Sequence, residues 1–79
     1  VSNQSLTGHV VQYDLPEKTK VGLALLDISG RLVRTIYSGI RERGSYTQTV
    51  QENELSAGMY YVRFQAGESA LFRKYMVLR

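Results

Sequence analysis

Cysteine and tryptophan are absent from the chain, histidine occurs once, as His9, and proline once, as Pro16. Without cysteine there is no disulfide staple, no thiol nucleophile and no thiolate for a metal. His9 alone would have to be the base of any Ser-His-Asp device, from a position close to the start of the chain, so no triad is expected. No apolar run approaches the roughly 20 residues of a membrane span. A charged-then-apolar leader is also missing, so an export signal of that kind would have to lie outside these residues. The carboxylates Asp14, Glu17, Asp27, Glu42, Glu52, Glu54 and Glu68 lack calcium-loop spacing. Glu52 and Glu54 read as a solvated turn and not as a glycosidase pair. Gly39 and Gly44 are not followed by the Lys-Ser/Thr of a phosphate loop. Catalytic, cofactor-binding and metal-binding residues are accordingly expected to be none, and no small-molecule substrate is implied.

Ten basic residues stand against seven acidic ones, for a net charge of +3. The two signs are interspersed, as where Glu42 sits between Arg41 and Arg43. Nucleic-acid surfaces concentrate their cations in a stripe with stacking aromatics, so no nucleic-acid partner is expected. Seventy-nine residues make one small domain, 1–79. A core of that size rarely leaves more than about 3–5 kcal/mol of net stability.

What is present is a series of short alternating segments. Val11, Tyr13 and Leu15 share one face of a stretch from Ser5 to Leu15, and Pro16 ends it. Val21, Leu23 and Leu25 line one face of a second strand, with Gly22 and Ala24 opposite. Asp27-Ile28-Ser29-Gly30 then joins two apolar runs. Asp27 is suited to accept hydrogen bonds from nearby backbone N–H groups, and Gly30 to take a positive φ that costs other residues about 1–2 kcal/mol. A type I turn closed by a left-handed glycine is expected here.

The third strand starts at Arg31 and has no cleanly apolar face, which predicts a bulge or a twisted edge near Arg34. Ser38 to Gly44 reads as a loop between two glycines, and Tyr46, Gln48 and Val50 as one face of a fourth strand. Gln51 to Gly58 is a long connection anchored by Leu55, with a short helix at Glu52–Ala57 as the only competing reading. Met59 to Phe64 is the strongest strand, with Tyr60, Val62 and Phe64 inward. After a turn at Gln65-Ala66-Gly67-Glu68, Leu71 to Leu78 forms the last strand, whose parity does not choose a face.

Turns at intervals of about ten residues, with no segment of helical period, predict an all-β, small antiparallel Ig-like sandwich of six to eight strands. Its expected core is Val11, Tyr13, Leu15, Val21, Leu23, Leu25, Val33, Val50, Tyr60, Val62 and Phe64. Tyr13, Tyr46 and Tyr60 sit at core parity, which leaves Tyr37, Tyr61 and Tyr75 as the residues for a sugar-stacking surface.

Four blocks carry a family resemblance. Leu15-Pro16-Glu17 is followed by Asp27-Ile28-Ser29-Gly30-Arg31-Leu32-Val33, then by Ala57-Gly58-Met59-Tyr60, and finally by the basic strand Arg73 to Arg79. From about Val11 to Arg79 the chain resembles the C-terminal sorting domain of type IX secretion system cargo proteins. The resemblance implies a non-catalytic β-sandwich module behind an N-terminal cargo domain. Such a module is read by the outer-membrane translocon and commonly removed by a sortase-like surface peptidase, the cargo often being joined to anionic lipopolysaccharide. It implies a periplasmic transit ending at the cell surface or in the medium. The family's turn motif falls on Asp27, Gly30, Arg31, Gly58 and Tyr60, and its terminal recognition strand on Lys74, Tyr75, Met76, Val77, Leu78 and Arg79. Val50 stands where the family often has an aromatic. The Ig-like domain of the flagellar hook-capping protein shares the Asp-x-x-Gly-Arg-x-Val and Gly-x-Tyr pattern. An Ig-like linker or carbohydrate-binding accessory module of a secreted enzyme is therefore the alternative. A chain that stops at its basic last strand is the feature expected of the sorting module.

Overall fold

The structure, a computed structural model, describes residues 4–7 and 10–78. His9 and Arg79 lie outside them. Among the described residues seven strands, β1 (Gln4–Thr7), β2 (Val10–Leu15), β3 (Thr19–Asp27), β4 (Leu32–Arg41), β5 (Gly44–Thr49), β6 (Gly58–Ala66) and β7 (Ser69–Val77), form two antiparallel sheets. One has the order β1-β2-β5 and the other β4-β3-β6-β7. This is the expected all-β sandwich, and the described residues include no helix.

The stretch read from Ser5 to Leu15 as a single strand is two, with Thr7 opposite Val10. Alternation is clean in β2, where Val11, Tyr13 and Leu15 face the core and Gln12 and Asp14 face water. β3 lies between β4 and β6, and β6 between β3 and β7, so both are paired along two edges. Their inward residues Val21, Leu23, Leu25, Tyr60, Val62 and Phe64 form the floor of the core. Leu55 reaches it from the β5–β6 connection, as expected.

Val33 is the exception among the expected core residues, being 38 % exposed. The bulges explain it. Leu23 pairs with Tyr37 but Ala24 with Thr35, and Leu25 with Arg34 but Leu26 with Leu32. Ile36 and Val33 are thus the extra residues, one on each side of Arg34, and each resets the parity of β4. The bulge expected near Arg34 is present, and it turns Val33 away from the core.

The loop expected from Ser38 to Gly44 is also mostly strand. β4 continues to Arg41 with Ile40 opposite Lys20, and only Glu42 and Arg43 separate it from β5. Gly39 is not a breaker: a Cβ at that position would lie 3.0 Å from the Tyr37 hydroxyl, so the glycine leaves room for the ring to lie along the strand. Glu52–Ala57 is irregular, and Glu54 takes a φ of 70°, which a helix does not accommodate.

β7 acquires its face from β6. Tyr60 pairs with Tyr75 and Gly58 with Val77, which carries Tyr75 and Val77 into the core and leaves Phe72, Lys74 and Met76 outward. Tyr75 is therefore no surface platform. Its hydroxyl donates to the Glu52 carboxylate. Burial first, and that hydrogen bond second, push its phenol well above the ordinary range.

Candidate recognition surface

The hairpin between β3 and β4 is held by one carboxylate. Gly30 N–H donates to the Asp27 carbonyl at 2.9 Å, and Asp27 N–H to the Arg31 carbonyl at 2.9 Å. Those two bonds close a type I turn with a glycine bulge, and Gly30 has the expected positive φ of 91°. Asp27 Oδ1 accepts from the Ser29 hydroxyl at 2.6 Å and from the backbone N–H groups of Ser29 and Arg31, each at 3.0 Å. The Arg31 Nε lies 3.4 Å from Asp27 Oδ2. Gly30→Val should destabilise the domain by about 1–2 kcal/mol more than Gly30→Asn, because asparagine tolerates this region and a β-branched residue does not. Paired thermal melts check it, and equal midpoints would count against a conformational role for Gly30.

The Ser29 hydroxyl first, and then the Arg31 N–H, hold the Asp27 carboxyl below its ordinary value. A lowered folded-state value contributes stability above the unfolded-state value, lost as pH falls through the folded-state one. The melting-point gap between the native chain and Asp27→Ala is expected to be full at neutral pH and to shrink below about pH 4. A gap that is constant down to strongly acid pH would contradict the assignment.

At the start of β6, Gly58 adopts a φ of 149° and Tyr60 turns back so that its hydroxyl donates to the Ser56 carbonyl at 2.7 Å. The same connection is clamped from β4, where Arg34 donates to the carbonyls of Gln51 at 2.5 Å and Asn53 at 2.9 Å. Nothing local in the sequence announces that clamp, since the partners lie 17 and 19 residues away. The motif residues Asp27, Gly30, Arg31, Gly58 and Tyr60 therefore shape two connections flanking β3 and β6.

β7 is an edge strand of the four-stranded sheet. Lys74 and Met76 point outward from it, Tyr75 and Val77 inward, and Leu78 follows the strand at 79 % exposure. The three tyrosines considered for sugar stacking do not come together. Tyr75 is in the core, Tyr61 is on the outer face of β6, and Tyr37 lies under the Arg41 guanidinium, whose carbon stands 3.9 Å from the ring centroid. No group of three His, Cys, Asp or Glu side chains able to hold a metal ion occurs among the described residues. Nor, among those residues, is any helix long and apolar enough to cross a membrane.

These features define a small β-sandwich module with an Asp-Gly hairpin, a tyrosine-locked corner and a final strand at a sheet edge. The chain belongs to the family of secretion system C-terminal sorting domains, matching it over residues 5–78. No curated protein and no solved structure matches the chain. Membership makes it a sorting signal of the type IX system, carried behind an N-terminal cargo and directing that cargo to export.

Proposed function

We propose that this domain is a non-catalytic address. In this reading the outer-membrane translocon recognises it after periplasmic transit, and a sortase-like peptidase removes it at the surface. The observation that supports the reading most is the position of β7 at the open edge of the four-stranded sheet. An edge strand offers unpaired amides and carbonyls to a partner's sheet, with selectivity from alternate side chains. Lys74, Met76 and Leu78, together with Arg79, are the side chains assigned to that selectivity. Tyr75 and Val77 contribute through their main chain, their rings and methyls being committed to the core.

Deleting β7 would unfold the sandwich and confound the test, so charge reversal is the better probe. A periplasmic reporter fused ahead of this domain, in a host with the type IX system, is expected to reach the surface. The Lys74→Glu and Arg79→Glu version, shown first to melt at the native temperature, is expected to stay in the periplasm. If the native fusion also stays behind, the sorting function is wrong for this chain and a plain linker or accessory module takes its place.

A further inference from the structure

The two outward faces of the sandwich differ in kind. The three-stranded sheet presents Gln12, Asp14, Ser45, Thr47 and Thr49, an ordinary wet surface. Outward on the four-stranded sheet, no paired position carries a carboxylate. Its charged side chains are Lys20, Arg63 and Lys74, all cations. Leu32, Ile40, Phe72 and Met76 stand outward on the same face and are between 49 % and 64 % exposed. Beside the hairpin turn the face sinks into an open depression of about 340 Å³ lined by Leu26, Ile28, Ser29, Gly30, Tyr61 and Phe72. Arg63 lies two residues along β6 from Tyr61, on the same face, and its buried Nε has no hydrogen-bond partner.

We propose that this outer face is the docking surface for an acidic, amphipathic segment of the export machinery. The segment places an aliphatic or aromatic side chain in the depression and a carboxylate on Arg63. The proposal rests on the sorting function above and adds the outer face of the four-stranded sheet to the edge of the last strand, whose Phe72, Lys74 and Met76 border that face. Charge selects the occupant. A second copy of this chain would set Lys20, Arg63 and Lys74 against the same three cations, with no carboxylate on the face to offset them. An anionic membrane is disfavoured because the Nε of Arg63 is recessed in the middle of the face. A single side chain that enters the face can approach the Arg63 guanidinium from within the sheet surface, where a flat headgroup plane stays above it. Exposed apolar surface next to unopposed cations is the pattern of an interface centre with a charged guide.

The test uses the reporter fusion of the full domain with Ile28→Ser, Arg63→Gln and Lys20→Gln, none of them on the last strand. Thr47→Lys on the opposite face is the control. Each variant is first shown to melt like the native domain. Ile28→Ser and Arg63→Gln are each expected to lower surface display about tenfold, as loss of an interface anchor does, while the control is unchanged. A photo-crosslinker at exposed Ala70 should join the domain to a Glu- or Asp-containing peptide of a translocon component. Display of the native fusion and of all variants alike would overturn this docking face and leave the sorting function standing. No display of the native fusion removes both. A crosslink to a second copy, or binding of the purified domain to phosphatidylglycerol vesicles that Arg63→Gln abolishes, would also overturn the proposal.

Discussion

Phe64→Ala is expected to leave the domain largely unfolded at room temperature, with a loss of about 3–5 kcal/mol. Phe64 is 1 % exposed on β6, paired with Leu23 of β3, and its ring lies 4.9 Å, centroid to centroid and tilted by 49°, from that of Tyr13 in the opposite sheet. It is a large side chain at the centre of the core that the two sheets share. Removing the ring deletes both the transferred apolar surface and the contacts of its neighbours. No disulfide limits the unfolded state, because the chain has no cysteine. The loss is therefore set against the whole stability of a domain of this size, itself about 3–5 kcal/mol. Urea titration is the measurement, and the comparison is Phe72→Ala, the other phenylalanine, which is 52 % exposed. That variant should stay within about 0.5 kcal/mol of the native domain. Similar midpoints for the two variants would mean that Phe64 does not join the sheets.

The contrast between these two phenylalanines also marks where the sequence was legible. In β2, β3 and β6 the apolar residues alternate with polar or small ones, and period two alone places Val11, Tyr13, Leu15, Val21, Leu23, Leu25, Tyr60, Val62 and Phe64 inside. In β4 the same rule misplaces Val33, because two bulges reset the parity and a bulge has no local signature beyond a muddled pattern. β7 is apolar on both faces. Only its register with β6 decides that Tyr75 and Val77 go in and Phe72 and Met76 stay out. Register is a property of two strands and cannot be read from one.

The Asp27–Gly30 turn was visible because its bonds span at most four residues, and each participant has its own chemical reason. The clamps on the β5–β6 connection were not. Arg34 reaches Gln51 and Asn53, and Tyr75 reaches Glu52 across 23 residues. The docking face was hidden for the same reason. Its cations come from three different strands, β3, β6 and β7, and become one surface only after those strands are paired. One signal was present: a last strand whose two faces are both apolar has more hydrophobic surface than a core needs.

Arg41→Ala is expected to cost about 2–3 kcal/mol, a large effect for a half-buried arginine, from the combined loss of two ring contacts and a buried hydrogen bond. Arg41 is the last residue of β4, just before the chain crosses from the four-stranded to the three-stranded sheet through Glu42 and Arg43. Its guanidinium carbon stands 3.9 Å from the Tyr37 ring centroid and 4.5 Å from that of Tyr46. The Arg41 guanidinium donates to the Tyr13 hydroxyl at 3.0 Å, and the Tyr13 and Tyr46 rings stack at 5.5 Å. One planar cation thus ties β2, β4 and β5 together where the two sheets part. Burial pushes the Tyr13 phenol up, and the Arg41 charge opposes that shift, so removing the cation leaves the buried hydroxyl poorly served. Arg41→Lys should recover less than half of the loss, since an ammonium keeps the charge but not the flat face that lies between two rings. A double-mutant cycle of Arg41→Ala with Tyr37→Leu is expected to show a coupling of about 1 kcal/mol. Hydrogen exchange should localise the effect, with β5 amides exchanging faster in Arg41→Ala while those of β6 keep their protection. Strictly additive losses, or equal loosening of β5 and β6, would show that Arg41 merely covers the end of the sandwich. The crossing would then rest on its other contacts, chief among them the Tyr46 hydroxyl donating to the Glu42 carbonyl at 2.7 Å.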